Sequence, residues 1–153
     1  MSFDLRDLYQ QTIVDHNKSP RNYGKMEDST HRAEGHNPLC GDQIELFLKI
    51  KEDRIADVKF VGKGCAISTA SASLLTEEIR GKTVREVRQL FEKFHNMLTR
   101  ENPQKAIPEI EDMGKLVVFA GVAEYPARIK CATLAWHALI AALENKEQPV
   151  STE

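Results

Sequence analysis

Between residues 43 and 60, polar and apolar side chains alternate in two successive runs. Ile44, Leu46, Leu48 and Ile50 alternate with Gln43, Glu45 and Lys49. After Lys51-Glu52-Asp53-Arg54, Ala56, Val58 and Phe60 alternate with Asp57 and Lys59. A period of two belongs to a strand with one face buried. Two such runs joined by so short a polar turn pair antiparallel. The pattern commits this stretch to a hairpin, and the rest of the chain must cover its apolar face.

The remaining patterns are mostly helical. Leu5, Leu8, Tyr9 and Ile13 recur at helical spacing, predicting a helix from Asp4 to about His16 that Pro20 ends, with a turn-rich loop from His16 to Gly24. Thr30 to Gly35 suits a short strand. Ile67 to Arg80 reads as a helix stopped by Gly81. Thr83-Val84-Arg85-Glu86 is a capping box, opening a helix whose stripe is Val84, Val87, Leu90, Phe91, Phe94, Met97 and Leu98. Asn102-Pro103 to Pro108 is a connector, and Glu111 to about Glu124 is expected to be helical despite Gly114 and Gly121. Pro126 fits the first turn of a last helix reaching about Asn145, apolar on most sides and therefore deeply packed. Strands first and helices later indicate an α+β fold: a small antiparallel sheet of about three strands against about five helices. The expected organisation is one domain over residues 1–145 with a frayed tail over 146–153.

Charge and cysteine usage narrow the function. A net charge of -2 argues against nucleic acid as the main partner, because no basic excess is available to neutralise phosphates. No apolar run approaches the roughly 18 residues of a membrane span. Met1 to Asp7 lacks the basic-then-apolar pattern of a secretory signal, so a cytoplasmic, reducing location is the expectation. The chain has 3 cysteines, Cys40, Cys65 and Cys131, and an odd number cannot all pair internally. In a reducing compartment, metal or sulfur chemistry accounts for them better than disulfides.

Each cysteine stands at a junction between elements. Cys65 follows Gly62-Lys63-Gly64 at a helix start, where the partial positive charge favours a thiolate. Cys131 lies in the opening turns of the last helix, flanked by Arg128 and Lys130. Cys40 begins Cys40-Gly41-Asp42 in a loop able to swing. With no Cys-x-x-Cys, any shared site must be assembled by tertiary structure. Three thiolates and the Asp42 carboxylate suit tetrahedral Zn²⁺, and the same soft ligands suit an iron–sulfur cluster. Such a zinc site has a local charge of about -2, which Arg128 is placed to offset. The alternatives are ordinary: buried structural cysteines and a solvated surface arginine.

Three segments together resemble the U-type iron–sulfur cluster assembly family, the NifU N-terminal/IscU-like proteins. They are Val14-Asp15-His16-Asn17-Lys18-Ser19-Pro20-Arg21-Asn22-Tyr23-Gly24, Asn37-Pro38-Leu39-Cys40-Gly41-Asp42 and Gly62-Lys63-Gly64-Cys65-Ala66-Ile67-Ser68-Thr69-Ala70-Ser71. The resemblance covers nearly the whole chain and is greatest to the SufU branch. The stretch between Cys65 and Cys131 is long, Lys130 stands where IscU-like proteins have a His, and the Leu-Pro-Pro-Val-Lys chaperone segment of those proteins is absent.

The resemblance implies a zinc-binding partner of a SufS-like cysteine desulfurase, with Cys40, Asp42, Cys65 and Cys131 as ligands. It would accept persulfide sulfur and serve downstream SUF assembly proteins. Cys40 is the expected persulfide acceptor, and Arg128 the expected charge compensator. Two other readings stay open: a scaffold on which a [2Fe–2S] cluster or iron is held by the same four residues, and a structural zinc module. Whether the chain counts as an enzyme is likewise open. His31 and His36 are near Cys40 in sequence but are expected to be solvated. His95 and His137 are not expected to be ligands, and a cysteine–histidine hydrolase is the remaining alternative.

Overall fold

The computed structural model describes residues 5–102, 110–145 and 149–151. Helix α1 (Leu5–Lys18) precedes strands β1 (His31–Asn37), β2 (Asp42–Lys51) and β3 (Arg54–Lys63). Helices α2 (Ala66–Ile79) and α3 (Val84–Thr99), a 3₁₀ segment (Ile110–Glu124), helix α4 (Pro126–Leu143) and strand β4 (Val150–Ser151) complete the chain. The sheet order is β3-β2-β1-β4, antiparallel except for β4, which runs parallel to β1. The fold is α+β, with helices on one face of a small mixed sheet.

The hairpin forms as its alternation dictates. Lys51 pairs with Arg54, and Glu52 and Asp53 both take positive φ (50° and 66°), the two-residue turn whose twist matches its strands. One side chain departs from the pattern. The register shifts at Lys49/Ile50, so Ile55, not Ala56, turns inward and is fully buried. A β-bulge adds one residue to one strand and reverses its parity.

Ala33, Ile44, Leu46, Leu48, Ile55, Val58 and Phe60 make the sheet's contribution to the core. Onto it pack Ala70, Leu74 and Leu75 of α2, Leu90, Phe94 and Leu98 of α3, and most of α4. Trp136 is fully buried and stacks on Phe94 at 4.8 Å between ring centroids. The capping box at Thr83 and Glu86 is present in both directions.

The helix expected over Glu111 to Glu124 is present as a 3₁₀ helix, Ile110–Glu124, kinked at Gly114 (φ 56°, ψ −135°). A β-carbon there would press on the Glu78 carboxylate, which also accepts the Lys115 N–H at 3.3 Å. The tail is not wholly frayed: Val150 and Ser151 pair with Gly35 and His36, making a fourth strand. The strand expected over Thr30 to Gly35 runs on to Asn37, and that extension carries it to the site. The Pro103–Pro108 connector, Asp4 and the tail residues 146–148 and 152–153 lie outside the described residues.

Helix α1 is tied to α2 by a buried polar chain. The backbone N–H of Arg21 donates to Ser73 Oγ at 2.8 Å, and the Ser73 hydroxyl meets His16 Nδ1 at 2.7 Å. His16 Nε2 faces Glu77 at 3.5 Å. Burial lowers the pKa of His16, Arg21 adds to the effect, and Glu77 and Asp15 oppose it. The imidazole therefore takes up a proton less readily in the fold than in the unfolded chain, which titrates near 6.5. Stability from this group is complete above pH of about 6.5 and is lost as pH falls, because the unfolded state then binds the extra proton. Urea midpoints at pH 7.5 and 5.5 are expected to fall further for the wild type than for His16→Gln. Equal slopes would show that His16 does not carry the acid sensitivity.

Candidate metal centre

Three junctions of the fold meet at one end of the sheet. The first is the β1–β2 connection. Asn37 and Asp42 are paired across the strands, and Pro38 to Gly41 close the loop, helped by Gly41 at φ +71°. Few residues other than glycine take that conformation easily. The Cys40 N–H donates to the Asn37 carbonyl at 3.3 Å, so Cys40 stands at the exposed tip while Asp42 is fully buried at the strand root.

The second junction joins β3 to α2. Lys63 pairs with Gln43, which brings the chain past Asp42. The Cys65 N–H donates to Asp42 Oδ1 at 2.8 Å. Cys65 is the N-cap of α2, its sulfur accepting the Ser68 N–H at 3.4 Å. A thiolate here receives both a backbone donor and the positive end of the helix dipole. Its sulfur lies 3.9 Å from Asp42 Oδ2.

The third junction is the start of α4. Tyr125 precedes Pro126 at the first helical position. The helix packs across β1 and α2 and carries Cys131, which is fully buried. The Cys131 sulfur lies 3.4 Å from the Cys40 sulfur and 3.7 Å from Asn37 Nδ2. Burial is the chief reason its thiol pKa is pushed far up, with the neighbouring Cys40, Cys65 and Asp42 adding to it. One turn earlier stands Arg128, whose pKa is raised by Cys131 above all and by attraction from Cys65 and Cys40. The exposed arginine thus faces the cysteines.

Ligand atoms of Cys40, Asp42 and Cys131 all lie within 4.8 Å of one another. Cys65 stands outside that trio but touches it through Asp42. Tetrahedral zinc with bonds of about 2.3 Å separates two sulfur ligands by about 3.8 Å. The 3.4 Å Cys40–Cys131 separation is close to that spacing. Soft sulfurs with one carboxylate are the donor types zinc takes, so the residues present fit the ion.

The histidines are elsewhere. His31 Nδ1 bonds Thr30 Oγ1, exposed His36 lines an open groove on the sheet with Tyr23 and Gln43, and His95 and His137 pack around Phe91. His16 does bond a serine, but Ser73 is fully buried and already accepts a backbone N–H. A hydrolytic nucleophile needs access to its substrate, which that serine lacks.

The residue that sequence reasoning passed over is Asn37, quoted only as part of a motif. A polar residue at the end of a strand, just ahead of Pro38, was its one signal.

The NifU-like N-terminal domain model matches residues 8–132. The chain belongs to this family. It is 42% identical over 149 residues to the zinc-dependent sulfurtransferase SufU of Bacillus subtilis (strain 168), covering 96% of this chain and 98% of the relative. It is 41% identical over 142 residues to the iron–sulfur cluster assembly scaffold protein IscU of Streptococcus pyogenes serotype M1, covering 92% and 86%. The crystal structure of FiSufU from Fervidobacterium islandicum AW-1 superimposes with a TM-score of 0.80 at 36% identity, covering 92% of this chain and 99% of that one. The family is that of the SufU, IscU and NifU proteins of iron–sulfur cluster assembly. Among the described residues, no helix is long and apolar enough to cross a membrane.

Proposed function

We propose that this protein holds Zn²⁺ through Cys40, Asp42, Cys65 and Cys131 and accepts persulfide sulfur from a cysteine desulfurase for iron–sulfur cluster assembly. The observation that carries the reading is the asymmetry of the two adjacent sulfurs. Cys131 is fully buried on a helix, and Cys40, 3.4 Å away, is exposed on a glycine-hinged loop. The likeness to a zinc-dependent sulfurtransferase over nearly the whole of both chains supports it. When bound, the zinc supplies a positive charge that keeps the cysteines as thiolates near neutral pH.

The chain's own residues do the rest. Cys40 leaves its place and presents its thiolate to the outer sulfur of the desulfurase persulfide. A new sulfur–sulfur bond forms at Cys40, the bond in the donor breaks, and the donor cysteine departs as a thiolate. No electrons are gained or lost overall. Asp42 and Cys131 stay where strand and helix hold them. Arg128 offsets the negative charge left among the sulfurs. A location in the cytoplasm suits thiols kept reduced.

Single turnover with a cysteine desulfurase and cysteine, followed by trapping and peptide mapping, is expected to place the persulfide on Cys40. A label on Cys131 alone would overturn the assignment. The scaffold reading draws on the similarity to IscU of Streptococcus pyogenes. Its distinguishing result is a [2Fe–2S] cluster that survives anaerobic reconstitution and passes to an acceptor protein.

A further inference from the structure

We propose that Asn37 is a positioning residue for the Cys131 sulfur, an inference that rests on the metal-site reading above. Its side chain is fully buried, and its amide N–H₂ points at the Cys131 sulfur from 3.7 Å. Its backbone carbonyl accepts the Cys40 N–H, and its Cα is paired with that of Asp42. One residue therefore touches Cys131, steadies Cys40 and sits opposite Asp42.

The other end of the amide is the informative one. Asn37 Oδ1 is buried and has no hydrogen-bond partner among the described residues. A buried acceptor left without a donor carries a desolvation cost, and an apolar side chain of similar shape avoids it. If position 37 only filled space, leucine would serve it better. The gain that offsets the orphaned oxygen is on the nitrogen side, where an N–H faces a sulfur that becomes a thiolate when metal binds.

An N–H donated to a metal-bound thiolate draws electron density from the sulfur and fixes its direction, as residues behind metal ligands commonly do. The Cys131 sulfur is thereby less nucleophilic and better anchored. The side-chain amide makes no such bond to Cys40, whose own backbone N–H donates to the Asn37 carbonyl. Asn37 thus helps decide which cysteine stays on the metal and which is free to react.

The test uses the full chain loaded with Co²⁺ in place of zinc, together with Asn37→Leu, which keeps volume, and Asn37→Ala, which does not. The readouts are the energy of the sulfur-to-cobalt charge-transfer band and zinc affinity by chelator competition. In both variants the band is expected to move to lower energy, because the sulfur is more electron-rich, and zinc affinity to fall by about tenfold. Folded variants with an unmoved band would overturn the proposal. A shift in Asn37→Ala alone would also overturn it by tracing the effect to packing. If the wild type itself shows no thiolate-to-cobalt band, the metal-site reading fails and the Asn37 proposal falls with it.

Discussion

Alanine at position 64 is expected to weaken zinc binding by about tenfold to a hundredfold, although Gly64 supplies no ligand. The reason is the space it leaves. A β-carbon built there would collide with the Asp42 carboxylate, with Cγ at 2.9 Å and Cβ at 3.1 Å. Asp42 cannot simply turn away, because it is fully buried and its Oδ1 accepts the Cys65 N–H at 2.8 Å. Displacing the carboxylate therefore removes a proposed ligand and breaks the bond that sets Cys65 beside it. Losing that part-buried hydrogen bond costs about 0.5–1.5 kcal/mol, so unfolding without metal should also come earlier. Chelator competition and a urea titration of the metal-free protein measure the two effects. Unchanged affinity in Gly64→Ala would remove the argument that this contact holds Asp42 in a binding position.

Gly64 also shows where sequence stops being informative. That a glycine precedes Cys65 was visible, but the reason for it was not, since the obstructing carboxylate belongs to another strand. Local patterns were legible because they depend on neighbours in sequence. The alternation of Ile44 to Ile50 fixed the hairpin, Thr83 and Glu86 marked the start of α3, and Cys65 stood where a helix had to begin. The parity of Ala56 was misread because a bulge depends on the partner strand. The kink at Gly114 depends on Glu78 of another helix, and β4 depends on an open edge of β1.

The site divides in the same way. The chemistry of each cysteine could be argued from its own flanks. The encounter of Cys131 with Cys40 could not, since it follows from the packing of α4 on β1, and only the family resemblance anticipated it. Asn37 was missed because its meaning lies in a side-chain partner 94 positions away.

Trp136 is the largest buried side chain of α4, and Trp136→Ala is expected to cost about 3–5 kcal/mol of unfolding free energy. The indole is fully buried, stacked on Phe94 at an interplanar angle of 26°, and its Nε1–H donates to Ser71 Oγ at 3.2 Å. The Ser71 hydroxyl in turn donates to the Ala132 carbonyl at 2.5 Å. Truncation opens a cavity between α3 and α4 and leaves that serine with one partner fewer. Against a total of about 5–15 kcal/mol for a typical domain, the loss brings the chain near its threshold. Cys131 lies on the same helix, so the consequence reaches the site. If the site holds zinc as proposed, saturating zinc should raise the stability of both proteins by mass action, and by less in Trp136→Ala, where the sulfurs are less well assembled. Urea unfolding of wild type and Trp136→Ala, each with and without zinc, separates the two contributions. A loss below about 1 kcal/mol would mean that α4 is not seated by its tryptophan. An equal gain from zinc in wild type and Trp136→Ala would mean that helix seating and metal site are uncoupled.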